Sequence, residues 1–162
     1  LPGCFAERAL LPAISLVKVD DRISDSEAAT LQSLSDSIAG VETAQIRPGE
    51  SVAVFGQGSM GIESMQAARA CGAGRLITVD VRDEACKLSL ELGADYAINA
   101  KNDDPIEVIR DLTDGEGADV VFECAGGSVK QGHSKTTSAP SPSEFLSAPA
   151  VVLSRGLLVT RP

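Results

Sequence analysis

This chain of 162 residues lacks the marks by which several function classes declare themselves. No apolar run approaches the roughly 18 to 20 residues that a membrane-spanning helix requires. Leu1-Pro2-Gly3 is without the charged start and long apolar stretch of a secretory signal, so a cytoplasmic setting with no membrane partner is expected. Lysine and arginine total 14 against 23 aspartates and glutamates, and they form no cluster. A surface carrying −9 repels phosphate backbones, which excludes nucleic acid as an expected partner. Cysteine is scarce: Cys4, Cys71, Cys86 and Cys124 stand far apart with no C-x-x-C pair, and His133 is the only histidine. That is poor material for a zinc site, and reduced, mostly buried thiols are expected instead. No internal repeat is visible.

What is present suits one compact domain with a core: 43% apolar residues and a mean hydropathy of +0.08. Residues 1–22 mix short apolar pieces with Pro2 and Pro12, and Phe5 to Val19 could supply one or two strands. Ser24 three before Glu27 forms a capping-box pattern, and Leu31, Leu34, Ile38 and Val41 follow at helical spacing with one face to bury. After the Pro48-Gly49 turn, strand and helix alternate. Ser51 to Phe55 reads as a strand, and Ser59 to Ala70 as a helix burying Met65, Ala68 and Cys71. Leu76 to Asp80 is the second strand, followed by a helix over Asp83 to Leu92 that buries Ala85, Leu88 and Leu92. Tyr96 to Asn99 is the third strand; Asp104-Pro105-Ile106-Glu107 starts a helix carrying Ile106, Ile109 and Leu112; and Asp119 to Cys124 is the fourth strand.

Four strands joined by three helices imply an α/β fold with a parallel sheet wound by right-handed crossovers. Beyond Gly127 the texture changes to a Ser-, Thr-, Pro- and Lys-rich stretch without apolar period. Val151-Val152-Leu153 and Leu157-Leu158-Val159 could still make a short strand or hairpin, but no helix leads to them, which leaves the fourth strand with an open edge.

The segment that carries chemistry is Gly56-Gln57-Gly58-Ser59-Met60-Gly61. G-x-G-x-x-G alone is a weak signal; here it closes a strand and opens a helix. Gly56 permits the tight turn, Gly58 leaves room for a pyrophosphate, and Gly61 lets the helix pack closely on the sheet. The amides of Ser59, Met60 and Gly61 then face the phosphates, favoured by the helix dipole. Asp80 ends the second strand about 20 residues beyond the last glycine, where a carboxylate accepts hydrogen bonds from the adenosine ribose and repels a 2′-phosphate. NAD is thus expected over NADP, while Arg82, able to hold a 2′-phosphate or stack on adenine, keeps the second open. Asp119 and Glu123 read as solvated or capping groups, and His133 has no partner for catalysis.

The chain resembles the medium-chain dehydrogenase/reductase family, the zinc-type alcohol and polyol dehydrogenases, from about Gly3 to Gly127. Phe5-Ala6-Glu7, Glu27-Ala28-Ala29-Thr30-Leu31-Gln32, Arg47-Pro48-Gly49-Glu50-Ser51-Val52, Leu92-Gly93-Ala94-Asp95, Leu112-Thr113-Asp114-Gly115 and Gly117-Ala118-Asp119-Val120-Val121 carry that resemblance. It implies three segments: residues 1–40, a remnant of a GroES-like catalytic domain with its connecting helix; 41–127, a partial NAD-binding Rossmann domain, the first half of a doubly wound parallel sheet; and 128–162, a low-complexity tail.

The resemblance also implies hydride transfer between an alcohol and NAD, with a zinc ion polarising the alcohol oxygen. Leu31-Gln32-Ser33-Leu34 offers only Gln32 and Ser33 where the family has a Cys or Glu near the zinc, so this chain supplies no zinc ligand set and no catalytic residue is assigned. It is expected to be a truncated part of a longer dehydrogenase, incomplete as a catalyst, with a small-molecule nucleotide as partner. Two alternatives stay open: a zinc-free quinone-reductase-like enzyme, against which Asp80 argues, and a non-catalytic nucleotide-binding module or pseudoenzyme. The family pairs through later strands of its sheet, and a homo-oligomer is left open.

Overall fold

A computed structural model describes residues 6–125 and the backbones of two later strands, 150–154 and 157–160. The chain divides into two compact units, residues 1–31 and 32–162. In the first, the strands expected between Phe5 and Val19 do not form among the described residues: from Ala6 to Val19 the regular structure is one 3-10 turn, Ala13–Ser15, and Leu10, Ile14 and Val17 are exposed. Short apolar pieces separated by proline find no sheet partner there, and alternation without a partner does not make a strand.

Helix α1 (Asp25–Ala28) has the expected capping box. Glu27 N–H donates to Ser24 Oγ, and Ser24 N–H donates to Glu27 Oε2 at 2.8 Å. The single helix expected from Ser24 to Val41 is two, because α1 stops and α2 (Leu31–Ala44) starts afresh. The face that α2 buries carries Ser37, Gly40, Val41 and Ala44, whereas Ile38 is exposed.

The second unit is built on six strands in the order β3-β2-β1-β4-β6-β5. Strands β1 (Ser51–Phe55), β2 (Arg75–Asp80), β3 (Tyr96–Asn99) and β4 (Val120–Glu123) are parallel and in the expected places. β1 is central and buried along its whole length, as a parallel strand covered on both faces must be. Its side chains alternate between two cores. Val52 and Val54 join Val41 and Ala44 of α2, Met65 and Ala68 of α3 (Ser59–Ala70), Leu76, Val120 and Phe122. On the other face, Ala53 and Phe55 join Ile77, Val79, Ile98, Val121 and Ile109 of α5 (Pro105–Leu112).

Two helix faces differ from expectation. Cys71, just past α3, is exposed. Helix α4 (Asp83–Glu91) buries Ala85 and Ser89 while Leu88 and Leu92 stay exposed, because Ser89 Oγ meets Thr78 Oγ1 of β2 at 2.8 Å. A hydroxyl pair satisfied inside the protein took the place that a leucine stripe was expected to fill.

The open edge expected for β4 is closed. β5 (Ala150–Ser154) and β6 (Leu157–Thr160) form an antiparallel hairpin, and β6 pairs antiparallel with β4, Phe122 opposite Val159. An antiparallel neighbour needs only a loop to reach the edge, so the missing crossover helix was no obstacle. Among the described residues, no helix is long and apolar enough to cross a membrane. His133 and Cys4 lie outside the described residues.

Candidate functional site

The connection from β1 leads to β2 on one side, while β4 lies on the other side of β1. Such a divergence opens a crevice at the carboxyl ends of the strands. The loop after β1 fills its floor. Gly56 has φ +82°, and a Cβ there would lie 2.4 Å from the Ala125 backbone. Gly61 approaches Gly56 so closely that a Cβ would sit 1.8 Å from the Gly56 carbonyl oxygen. Gly58 differs: a Cβ would meet nothing within 4 Å, and the residue is exposed. The glycines at both ends of the motif are required by the protein's own backbone, and the middle one faces open space.

Gly58 is also the N-cap of α3 and supplies no side-chain cap. The first-turn amides of Ser59, Met60 and Gly61 therefore stand where an anion can take them. Helix α2 fixes this end of α3: Ser33 Oγ donates to Glu63 Oε1 at 2.7 Å, and buried Ser37 Oγ bonds Glu63 Oε2 at 3.2 Å and the Met60 carbonyl at 3.4 Å. Gln57 is buried; its Nε2 donates to the Val54 carbonyl, and its Oε1 has no partner among the described residues.

Asp80 ends β2 as expected and is buried beside this loop. Its Oδ2 accepts from the Gln57 amide at 2.7 Å and from Arg82 Nη2 at 3.1 Å. Oδ1 accepts from the Arg82 amide and from Arg82 Nε, both at 3.0 Å. Arg82 Nη2 also reaches the Gln57 carbonyl at 3.3 Å. Burial pushes the Asp80 carboxyl up, but the Arg82 side chain and the two amides outweigh it and hold the group below the usual aspartate value. The structure thus brings all eight residues singled out in the sequence, Gly56 to Gly61 with Asp80 and Arg82, into one place.

Glu123, expected as a solvated or capping group, does take a local backbone amide but is less solvated than expected. It sits half-buried at the carboxyl end of β4, opposite Phe55 of β1, and burial raises its carboxyl above the usual value against one hydrogen bond from the Ala125 amide. Its place at the end of the strand next to β1 was the available signal. Cys124 beside it is pushed up to about 12 by burial, which makes it an inert thiol. Asp119 lies at the opposite end of the sheet, where its Oδ2 accepts from the amide and hydroxyl of Ser51. It braces β1 and has no part in the crevice.

The family-implied zinc finds no fit. Gln32 Nε2 donates to Asp36 Oδ2 at 2.5 Å, and among the described residues no group of three His, Cys, Asp or Glu side chains could hold a metal ion. Those residues give no basis for a step through a metal.

Residues 59–137 match the zinc-binding dehydrogenase family. An alcohol dehydrogenase of Cupriavidus necator is 33% identical over 129 residues, covering 78% of this chain and 35% of that protein. An NAD-dependent alcohol dehydrogenase of Sulfurisphaera tokodaii is 37% identical over 123 residues, covering 75% of this chain and 35% of that one. Among solved structures, a zinc-binding dehydrogenase from Sinorhizobium meliloti bound to NADP superposes with a TM-score of 0.58 at 32% identity, over 61% of this chain and 30% of that one. The chain spans about a third of the length of the relatives it matches.

Proposed function

Because this chain belongs, over the part that matches, to the zinc-type medium-chain dehydrogenase/reductase family, we propose that it is the NAD(H)-binding part of an alcohol or polyol dehydrogenase. The observation that carries this is the loop itself. Gly56 and Gly61 are locked by backbone contacts, Gly58 opens the way to uncapped amides, and a buried carboxylate stands one strand over. A diphosphate would take the Gly58 to Gly61 amides, and Asp80 would take the adenosine ribose. When bound, the nicotinamide would supply the hydride acceptor for an alcohol carbon.

The residues of this chain bind and orient that cofactor. Ser33 and Ser37 hold α3 through Glu63, and Asp80 ties the Gln57 amide so that the loop is set before a ligand arrives. Asp80 favours an unphosphorylated ribose, and with it NAD over NADP.

Titrating the full chain with NADH, followed by the fluorescence of the nicotinamide, tests this. Saturable binding that Gly58→Asp abolishes without loss of folded structure is expected. Binding left intact by that carboxylate, placed where a diphosphate should lie, would contradict it.

A further inference from the structure

Four donors converge on Asp80, and a carboxylate offers about four acceptor positions. Two of these donors are backbone amides, Gln57 on Oδ2 and Arg82 on Oδ1. The other two are the fork of the Arg82 side chain, Nε on Oδ1 and Nη2 on Oδ2. The fork therefore fills the remaining position on each oxygen, and a sugar diol needs those same two positions, one per hydroxyl. The Asp80 side chain is 6% exposed and held by amides, whereas that of Arg82 is 58% exposed, so the arginine is the partner able to leave.

We propose that Arg82 competes with the adenosine diol for Asp80 and thereby narrows the chain's preference for NAD(H) over NADP(H); this rests on the nucleotide assignment above. An unphosphorylated ribose must displace the fork before Asp80 can accept its hydroxyls. A 2′-phosphate meets the Asp80 charge, and the released guanidinium, with five donors in a planar fork, is placed to offset it. One side chain thus weakens the favoured ligand and tolerates the other.

The test uses the full chain, Arg82→Ala and Arg82→Lys, titrated with NADH and with NADPH. Nicotinamide emission is the signal, since the chain has no tryptophan. Arg82→Ala should bind NADH about threefold more tightly, the gain from removing a partly exposed competing pair. It should bind NADPH about tenfold more weakly, having lost a charge-assisted phosphate partner. Arg82→Lys, which keeps the charge but not the fork, should gain on NADH and lose less on NADPH. In the ligand-free protein, the Arg82 Nε–H resonance should be protected from exchange, and NADH should remove that protection.

Weaker NADH binding in Arg82→Ala would overturn the proposal, since Arg82 would then serve the loop through the Gln57 carbonyl. Unchanged affinities for both dinucleotides would overturn it too. A wild-type chain that binds neither dinucleotide would overturn the nucleotide assignment, and the competition with it.

Discussion

Strand β2 ends at both extremities in an aspartate–arginine pair, and the two pairs are built for opposite ends. At its amino end, Asp95 Oδ2 accepts from the Leu76 amide at 2.7 Å and from Arg69 Nη2 at 2.6 Å. Arg69 is further tied to the carbonyls of Ala73, Gly74 and Gly93, and its side chain is 38% exposed against 58% for Arg82. At its carboxyl end, Asp80 likewise holds one amide of a neighbouring segment, but Arg82 bonds only one carbonyl besides and faces solvent. The same two residue types make a permanent brace in one place and a releasable one in the other. The difference lies in the carbonyls around the arginine, which sequence spacing does not display.

The largest effects should come where the glycine loop touches its own protein. Gly56→Ala forces a side chain into φ +82° and into the Ala125 backbone, and it should cost about 3 kcal/mol in urea denaturation. Gly58→Ala, whose added Cβ would meet nothing within 4 Å, should leave stability within about 0.5 kcal/mol. If the two substitutions destabilised equally, the division between structural and ligand-facing glycines would fail.

Next come the two aspartates. Asp95→Ala should lower stability by about 2 kcal/mol without changing NADH affinity. Asp80→Ala should lower stability by about 1 kcal/mol and weaken NADH roughly tenfold, because its carboxylate serves both the loop and the ligand. Equal effects of both on binding would erase the contrast between the two ends.

Acidity separates the ends less sharply. The Asp80 carboxyl is held below its ordinary value in the folded protein, so the stability it contributes is present above the unfolded pKa and is lost as pH falls through the folded one. NADH affinity should accordingly stay flat from neutral pH down to about 4 and fall only below that. A fall beginning near pH 6 would show that another group governs binding.

The smallest effect concerns Glu123, whose carboxyl is raised by burial. Its ionised form is disfavoured by folding, so Glu123→Gln should stabilise the chain by about 0.5 kcal/mol at neutral pH, and the gain should vanish in acid where both states are protonated. Thermal melts at the two pH values check this.

Most of the parallel sheet and the whole glycine loop were legible in the sequence, because both rest on local rules. Ser51 to Phe55 is a short apolar run closed by glycine, and Asp104-Pro105 is a helix start whatever surrounds it; Asp104 Oδ1 indeed accepts the Ile106 amide at 2.8 Å. What escaped depends on partners distant in the chain. Ser89 is buried because Thr78 lies across from it, and Leu88 is exposed for the same reason. The cover over β4 comes from a strand 37 residues later (Val159 opposite Phe122), beyond a stretch with no pattern. Within the site, the position of Asp80 follows from the motif spacing, whereas its occupation by Arg82 arises only in the folded chain.

Backbone amide resonances of the full chain, followed as NADH is added, report where the dinucleotide binds. The largest shifts are expected at Gln57 to Gly61 and at Asp80 and Arg82, with Leu76 and Asp95 at the far end of β2 nearly still. Shifts centred on the amino end of the sheet, or none at the glycine loop under saturating NADH, would contradict the nucleotide assignment.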